Sequence, residues 1–292
     1  MKGARLVSDV RGIGAWTGTV DGVAMTAMAS GMGVPMSIPE QIGLLVFMVI
    51  ASEGAAGVTG TATADIIASK TEARIGDGAQ INQSGAVSAD SDVRVRAADN
   101  SFVVMTSGTV AGAAGAGVSG SANVAVIAKE THATIGDADI KAGDVIVRAA
   151  AKEDAYVIDA NVSFGAAGVG GAVGVAVVTN DTQAGIAAGA TVDGLGGITV
   201  KAEQDTALDL YTVAGSAGIG AAAGAFSVGV IDNTTKAYVG DGDSVNWATL
   251  DAGGTTEVAA RSSEKITTGT VSASGGGGAV AGAVGVKVVT SD

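Results

Sequence analysis

Residues 126–137 read VIAKETHATIGD, and three further stretches of the chain repeat this pattern. They are IIASKTEARIGD (66–77), VVTNDTQAGIAA (177–188) and VIDNTTKAYVGD (230–241). Each follows a run rich in glycine and alanine, such as GAAGVGGAVGVAVV at 165–178, and each precedes a second short apolar strand. Such self-similarity predicts a repeat architecture in which each unit packs only against its neighbours.

The spacing within the repeats separates rigid parts from variable parts. The two apolar anchors of a stretch are always nine positions apart, as are Val126 and Ile135. Most of the variation in length falls in one connection of each repeat: residues 78–92, 138–144, 188–197 and 242–255. Insertions are tolerated where a chain faces solvent. We therefore predict repeats of about 50–60 residues with their variable connections at the surface.

The glycine-rich runs alternate with a period of two, which is the period of a half-buried β-strand. Val173, Val175 and Val177 share one face, whereas the other face tolerates polar residues such as Asn123 and Lys287. The alternation predicts that the valine face is buried and that the other face is exposed. The polar residues after each valine run predict a corner between two strands.

Two features of this polar segment predict stacked turns. One threonine column runs through the repeats, so stacked coils would place these hydroxyl groups about 4.7–4.9 Å apart; its members are Thr71, Thr131, Thr182 and Thr235. One sparse row is too little for an ice-binding array. Gly-Asp pairs follow in three repeats and indicate turns; they are Gly76-Asp77, Gly136-Asp137 and Gly240-Asp241.

The composition suits thin β-sheets and speaks against several functions. With 47 glycines and 3% aromatic residues, the chain of 292 residues must fill its core with valine, isoleucine and alanine. A net charge of −13 disfavours nucleic acid and anionic membranes. The absence of cysteine excludes disulfides and thiolate metal sites. The apolar run at 42–52 is shorter than the roughly 20 residues of a membrane helix, so it predicts a buried strand and no transmembrane helix.

Several motifs that could have a chemical role are better explained as parts of strands or turns. GAGVSG (115–120) and GIGAAAG (218–224) resemble dinucleotide fingerprints, but no helix is expected after them. GGAVG at 170–174 has the spacing of paired membrane helices but belongs to the strand pattern. His132, the only histidine, shares a column with charged and polar residues, and the acidic residues at 241–243 suit a turn better than a calcium site. We predict no catalytic, cofactor-binding or metal-binding residues, no cofactor and no enzymatic activity.

The repeat resembles those of very large exported bacterial proteins, the leukotoxin-type filamentous adhesins and related β-strand-repeat exoproteins of autotransporter or two-partner secretion type. The resemblance covers about residues 42 to 292 and rests on the glycine-alanine-valine strand, a corner like NTTKAYVGDG (233–242) and a strand like VIVRA (145–149). It implies a secreted or surface-exposed β-solenoid rod of a Gram-negative cell, with a role in adhesion and virulence.

Together these observations predict an all-β, repetitive β-solenoid, right-handed as strand crossovers usually are. Residues 1–41 form a divergent N-terminal segment or cap, and residues 42–292 form the repeat array, which stops in mid-repeat. Whether each repeat is one coil or several stays open. The expected function is a non-catalytic structural or adhesive segment that contacts a host-cell surface, extracellular matrix or neighbouring bacterial surface; the alternative is a membrane-active cytotoxin segment. An unpaired edge predicts end-to-end self-association.

Overall fold

The computed structural model describes residues 14–20, 23–29, 58–84, 86–240 and 247–292. All regular secondary structure within these ranges is β-strand. The strands are β1 Gly14–Val20, β2 Val23–Ala29, β3 Val58–Ile75, β4 Gln80–Ile81, β5 Val93–Gly112, β6 Ala116–Ile135, β7 Asp139–Ala142, β8 Val145–Phe164, β9 Ala167–Ile186, β10 Thr191–Gly194, β11 Ile198–Ala217, β12 Gly220–Val239, β13 Thr249–Ala252, β14 Thr256–Gly275 and β15 Gly278–Ser291.

Each repeat forms one coil that contains a long strand, a short strand and a second long strand. Equivalent strands of consecutive coils pair in parallel and build three sheets. Sheet I has the order β15-β12-β9-β6-β3, sheet II the order β14-β11-β8-β5, and sheet III, made of the short strands, the order β13-β10-β7-β4. The predicted all-β solenoid is confirmed, and the number of coils per repeat is one. Its handedness stays a prediction.

The pairing of the strands follows the sequence repeat residue by residue. In sheet I, Ile75 pairs with Ile135, Ile135 with Ile186, and Ile186 with Val239. Insertions do not disturb this ladder because they lie between the strands. Identical or similar side chains therefore stack in columns that run along the solenoid.

The chain changes direction at two opposite edges of the coil. At the tip edge, a short turn leads from sheet II back to sheet I; these turns are residues 113–115, 165–166, 218–219 and 276–277. At the opposite edge, which we call the connection edge, sheet III and its flanking loops join sheet I to sheet II. The variable connections lie here, and a short strand occupies part of each.

The polar segment predicted as a corner is instead the second half of a straight strand. β9 continues without a break from Ala167 to Ile186, and its polar residues keep the period of two. Asn180 and Thr182 point inward and are buried, whereas Thr179 points outward. A corner was unnecessary because the inward polar groups find partners on sheet II.

The predicted burial of the valine face is wrong. Val173 and Val175 lie on the outer face of sheet I, while Ala172 and Gly174 face sheet II. The cause is the narrow space between the sheets: a Cβ atom at the inward Gly170 would lie 2.7 Å from the carbonyl oxygen of Gly215. Only small side chains fit between sheets this close, so the larger valines take the outer face.

Polar and apolar layers alternate in the space between sheets I and II. Next to the connection edge lies an apolar layer around Ile135, Ile186 and Val147. A polar layer follows, and then a second apolar layer around Ile127, Val178 and others. Small and polar residues fill the remaining interior up to the tip edge. The core is thus a series of thin layers, each running through all coils.

The prediction that residues 1–41 form a divergent segment or cap stays a prediction. β1 and β2 pair as an antiparallel hairpin, and β2 contacts β3. The rest of the predicted segment 1–41 and the apolar run at 42–52 lie outside the described residues.

Candidate functional site

A buried ionic cluster occupies the polar layer of the second coil. The Nζ atom of Lys129 lies 2.8 Å from Oε2 of Glu153 and 3.1 Å from Oδ1 of Asp99, and it also donates to the hydroxyl of Ser101. The side chains of Lys129 and Glu153 are 6% and 1% exposed. A buried charge is tolerated when it is paired and hydrogen-bonded. Because the amine is enclosed and paired, the cluster fits a structural role between the sheets.

The next coils have asparagine in place of the lysine in this column. Asn180 replaces Lys129 in the column, and its amide donates to the hydroxyl of Thr206 at 3.2 Å and to Oδ1 of Asn233 at 3.2 Å. Asn233 in turn donates to Thr206 at 3.0 Å and to Glu264 at 3.3 Å. One polar ladder therefore ties the two sheets together along several coils.

The connection edge is held by aspartates that link one coil to the next. Oδ1 of Asp77 accepts from the backbone N–H of Asp137 at 3.1 Å, and Oδ1 of Asp92 accepts from that of Asp144 at 2.9 Å. Oδ1 of Asp144 accepts in turn from the N–H of Gly197 at 2.7 Å. Turn glycines here take positive φ, at Gly78, Gly189 and Gly240. The turn predicted at Gly76-Asp77 is present at residues 77–78, whereas Asp241 lies outside the described residues.

The longest loop of this edge lies between β4 and β5, where residues 82–92 connect the strands. The equivalent connection of the second coil is only Gly143 and Asp144, and that of the third is residues 195–197. The first coil therefore carries a longer loop at this position, and its described residues, 82–84 and 86–92, are mainly exposed.

The outer faces next to the connection edge are charged. In sheet II, Arg148 pairs with Glu203, and Lys201 lies 2.8 Å from Glu257. In sheet I, the single histidine occupies the predicted outer column, where Glu72, Gln183 and Lys236 are its register mates. Nε2 of His132 lies 3.2 Å from Oδ2 of Asp181. These pairs join neighbouring coils across the surface.

The outer faces next to the tip edge are apolar. We call this part the tip half: residues 58–66 of β3 and 106–112 of β5, together with their register mates and the turns between them. Exposed large side chains occur on both sheets, for example Val169 at 45% and Val213 at 41%, and the turn residue Ile219 is 77% exposed. In the described residues, no outer position of the tip half carries a charge.

The remaining sequence motifs take structural places. Residues 115–120 pass from a turn into β6, so the helix of a dinucleotide site is missing there. The threonine column forms as predicted, but its buried members face the interior, as Thr131 and Thr182 show. Within the described ranges, no three acidic, histidine or cysteine side chains cluster as metal ligands. The acidic residues at 241–243 lie outside those ranges.

Among the described residues, no helix has the length and apolar character needed to cross a membrane. No protein-family model, curated protein or solved structure matches the chain.

Proposed function

We propose that the chain is a structural and adhesive segment of a secreted or surface-exposed bacterial filament, and that it has no catalytic role. The observation that carries the proposal is the contrast between the regular strand ladders of the sheets and the variable loops of the connection edge. Long parallel ladders hold the sheets in register, while length and sequence vary at the connection edge. Scaffolds that present variable loops on rigid sheets are suited to recognition.

The contact surface is the connection edge, above all the long loop 82–92. The described residues of this loop are mainly exposed, and Asp92 anchors its end by accepting from the N–H of Asp144. A partner on a host cell, in extracellular matrix or on a neighbouring bacterium would meet this loop first. Surface salt bridges on the adjacent faces add little stability and leave those faces free for polar contacts.

The test is binding of the labelled chain to host cells and to immobilised extracellular matrix, with vesicle leakage measured in parallel. The decisive variant replaces loop 82–92 by the Gly-Asp connection of the second coil. The matched control exchanges residues 253–255 for residues 195–197, which have the same length. Saturable binding that only the first variant loses supports adhesion through this loop. Leakage without saturable binding would instead favour the membrane-active cytotoxin, and no binding at all would contradict an adhesive role.

A second copy of the chain is a further partner in this proposal. β13, β14 and β15 are the last strands of their sheets, and unpaired strand edges promote association. In a head-to-tail stack in which β3 of the next copy pairs with β15, Asp65 of that copy would follow Lys287 in one inward column. This arrangement requires β2, which contacts β3, to move aside.

Light scattering over a range of micromolar concentrations tests the self-association. We expect the mass to rise with concentration and the charge reversal Lys287→Asp to reduce that rise. The double reversal Lys287→Asp with Asp65→Lys should restore it. A mass that remains monomeric throughout the range would contradict the head-to-tail arrangement.

A further inference from the structure

The tip half has the reverse polarity of an ordinary protein surface. Apart from Thr106, its outer positions are aliphatic residues, glycine and aromatic residues, while its interior holds hydroxyl, amide and carboxyl groups. Asn161 and Ser163 are both fully buried there, although each could be hydrated at an outer position. The half next to the connection edge has charges outside and apolar layers inside, interrupted only by the polar layer around Lys129.

Part of the polar interior is hydrogen-bonded internally, whereas the amide nitrogen of Asn161 and the hydroxyl of Ser163 have no hydrogen-bond partner. Ser119 donates its hydroxyl hydrogen to Oδ1 of Asn161 at 2.6 Å. Asp159 accepts from Ser107 at 2.6 Å and from the backbone N–H of Val173 at 3.1 Å. Because these groups face the interior, the outer apolar surface can leave water without changing their surroundings.

The apolar surface covers both sheets and continues around the tip edge. On sheet I it extends along β6 from Val118 to Val126, which is about 26 Å at about 3.3 Å per residue. On sheet II it includes Ile158 and Phe164, which are 38% and 49% exposed. Contiguous exposed apolar surface of this size marks an interaction site. A second copy packed face to face would cover only one of the two sheets, whereas a fluid apolar phase covers both faces and the turn.

Tyrosines lie where the apolar and charged parts of sheet II meet. Tyr156 and Tyr211 are outward and partly exposed, and the Tyr156 ring lies 5.5 Å from that of Phe102. Beyond them, Lys152 and Asp154 form an ion pair. Tyrosine is enriched at the boundary between hydrocarbon and lipid headgroups, because one end of its ring is apolar and the other polar.

We propose that the tip half docks into a zwitterionic lipid surface with its turns leading. This inference goes beyond the proposed function, which rests on the opposite edge of the coil. The valines and the turns enter the apolar region, the tyrosines lie at headgroup level, and the connection edge remains in water. The net charge of −13 favours phosphatidylcholine over anionic lipid.

Site-specific fluorescence tests the docking and its orientation. The chain has no cysteine, so a single cysteine can be labelled with an environment-sensitive dye at a chosen position. Val175→Cys and Gln183→Cys place the dye on the outer face of the same strand, in the tip half and in the charged half. With phosphatidylcholine vesicles we expect a blue shift, and quenching by spin-labelled lipid chains, for the first variant only.

A substitution series provides the second measurement. The triple variant Val173→Thr, Val175→Thr, Val177→Thr keeps residues that favour strands, and we expect it to lower the vesicle-bound fraction about tenfold or more. The matched control changes three outer positions of the charged half, His132→Thr, Gln183→Thr and Lys236→Thr, and should bind as the unmodified chain does.

Three results would overturn the proposal. Equal dye responses at positions 175 and 183, or no response at either, would show that the tip half does not dock. A blue shift at position 175 that grows with protein concentration without vesicles would show that a second copy covers this surface. Because phosphatidylcholine vesicles contain no protein receptor, failure here leaves the adhesion experiment unaffected.

Discussion

Replacing the buried lysine of the second coil is the most informative test of the layered interior. Lys129→Asn removes the charge that holds Glu153, whose carboxylate is 1% exposed and whose Oε2 lies 2.8 Å from Nζ. Breaking a buried ion pair from one side costs about 3–5 kcal/mol because the other charge is left unpaired. We expect the free energy of unfolding to fall by that amount.

The third coil indicates how the loss can be repaired. At the equivalent positions it holds Asn180 and Thr206, joined by a hydrogen bond of 3.2 Å. The double variant Lys129→Asn, Glu153→Thr copies this pair into the second coil, and a neutral hydrogen bond contributes about 0.5–1.5 kcal/mol. We expect it to recover most of the stability, with a coupling energy of about 2–4 kcal/mol.

Urea denaturation followed by circular dichroism measures these differences. The matched control is Lys152→Asn, which removes an exposed lysine that lies 2.9 Å from Asp154 on an outer face. Its effect should stay within about 0.5 kcal/mol. If the double variant lost as much as its two single variants together, the cluster would not act as a pair and the reasoning would be refuted.

Three further outcomes follow from the same geometry. Gly168→Ala should lower the melting temperature, because the new Cβ atom would lie 2.7 Å from a backbone carbonyl oxygen. Gly171→Ala is the control and should leave the melting temperature unchanged, because no atom lies within 4 Å of its new Cβ. Equal effects of the two substitutions would contradict the close approach of the sheets. Asp144→Ala removes one hydrogen bond to the next coil and should lower the free energy of unfolding by about 1 kcal/mol in urea denaturation; an unchanged value would contradict this role of the carboxylate. Burial raises the pKa of Asp159 above its usual 3.8, so the folded state binds this proton more tightly and stability falls as pH rises from 3.8 through the folded-state pKa. Asp159→Asn should reduce that fall when urea midpoints are compared between about pH 3 and about pH 7, and an unchanged pH profile would contradict the assignment.

The columns of the solenoid were predictable from the sequence, but the direction in which they point was not. Aligning the four stretches gives the register in which Thr131 pairs with Thr182, because stacked coils preserve spacing. A period of two shows only that two faces exist. In the tip half both faces lack charge in most repeats, so hydrophobicity favours the valines as core. The size of the side chains was the better signal, since Gly170 and Gly174 mark where the sheets approach most closely.

The contacts between the sheets could not be predicted from one sequence. Lys129 contacts Asp99 of β5 and Glu153 of β8, which are neighbouring strands of sheet II. Both contacts depend on how far sheet II is shifted relative to sheet I. The repeat fixes neighbours along a column but not partners across the interior. The sequence contained one indication of a polar layer: Lys129 and Asn180 occupy the same inward column.

The arrangement of one coil per repeat also determines how the molecule would respond to force. Neighbouring coils are joined by ladders of up to 20 residues in sheets I and II, and by one covalent crossing. A pull along the axis would therefore load many backbone hydrogen bonds at once and release a single coil when they fail. Each released coil would add on the order of 150–200 Å of extended chain. Under tension the array would therefore lengthen in discrete steps of one coil, while the remaining coils stay folded.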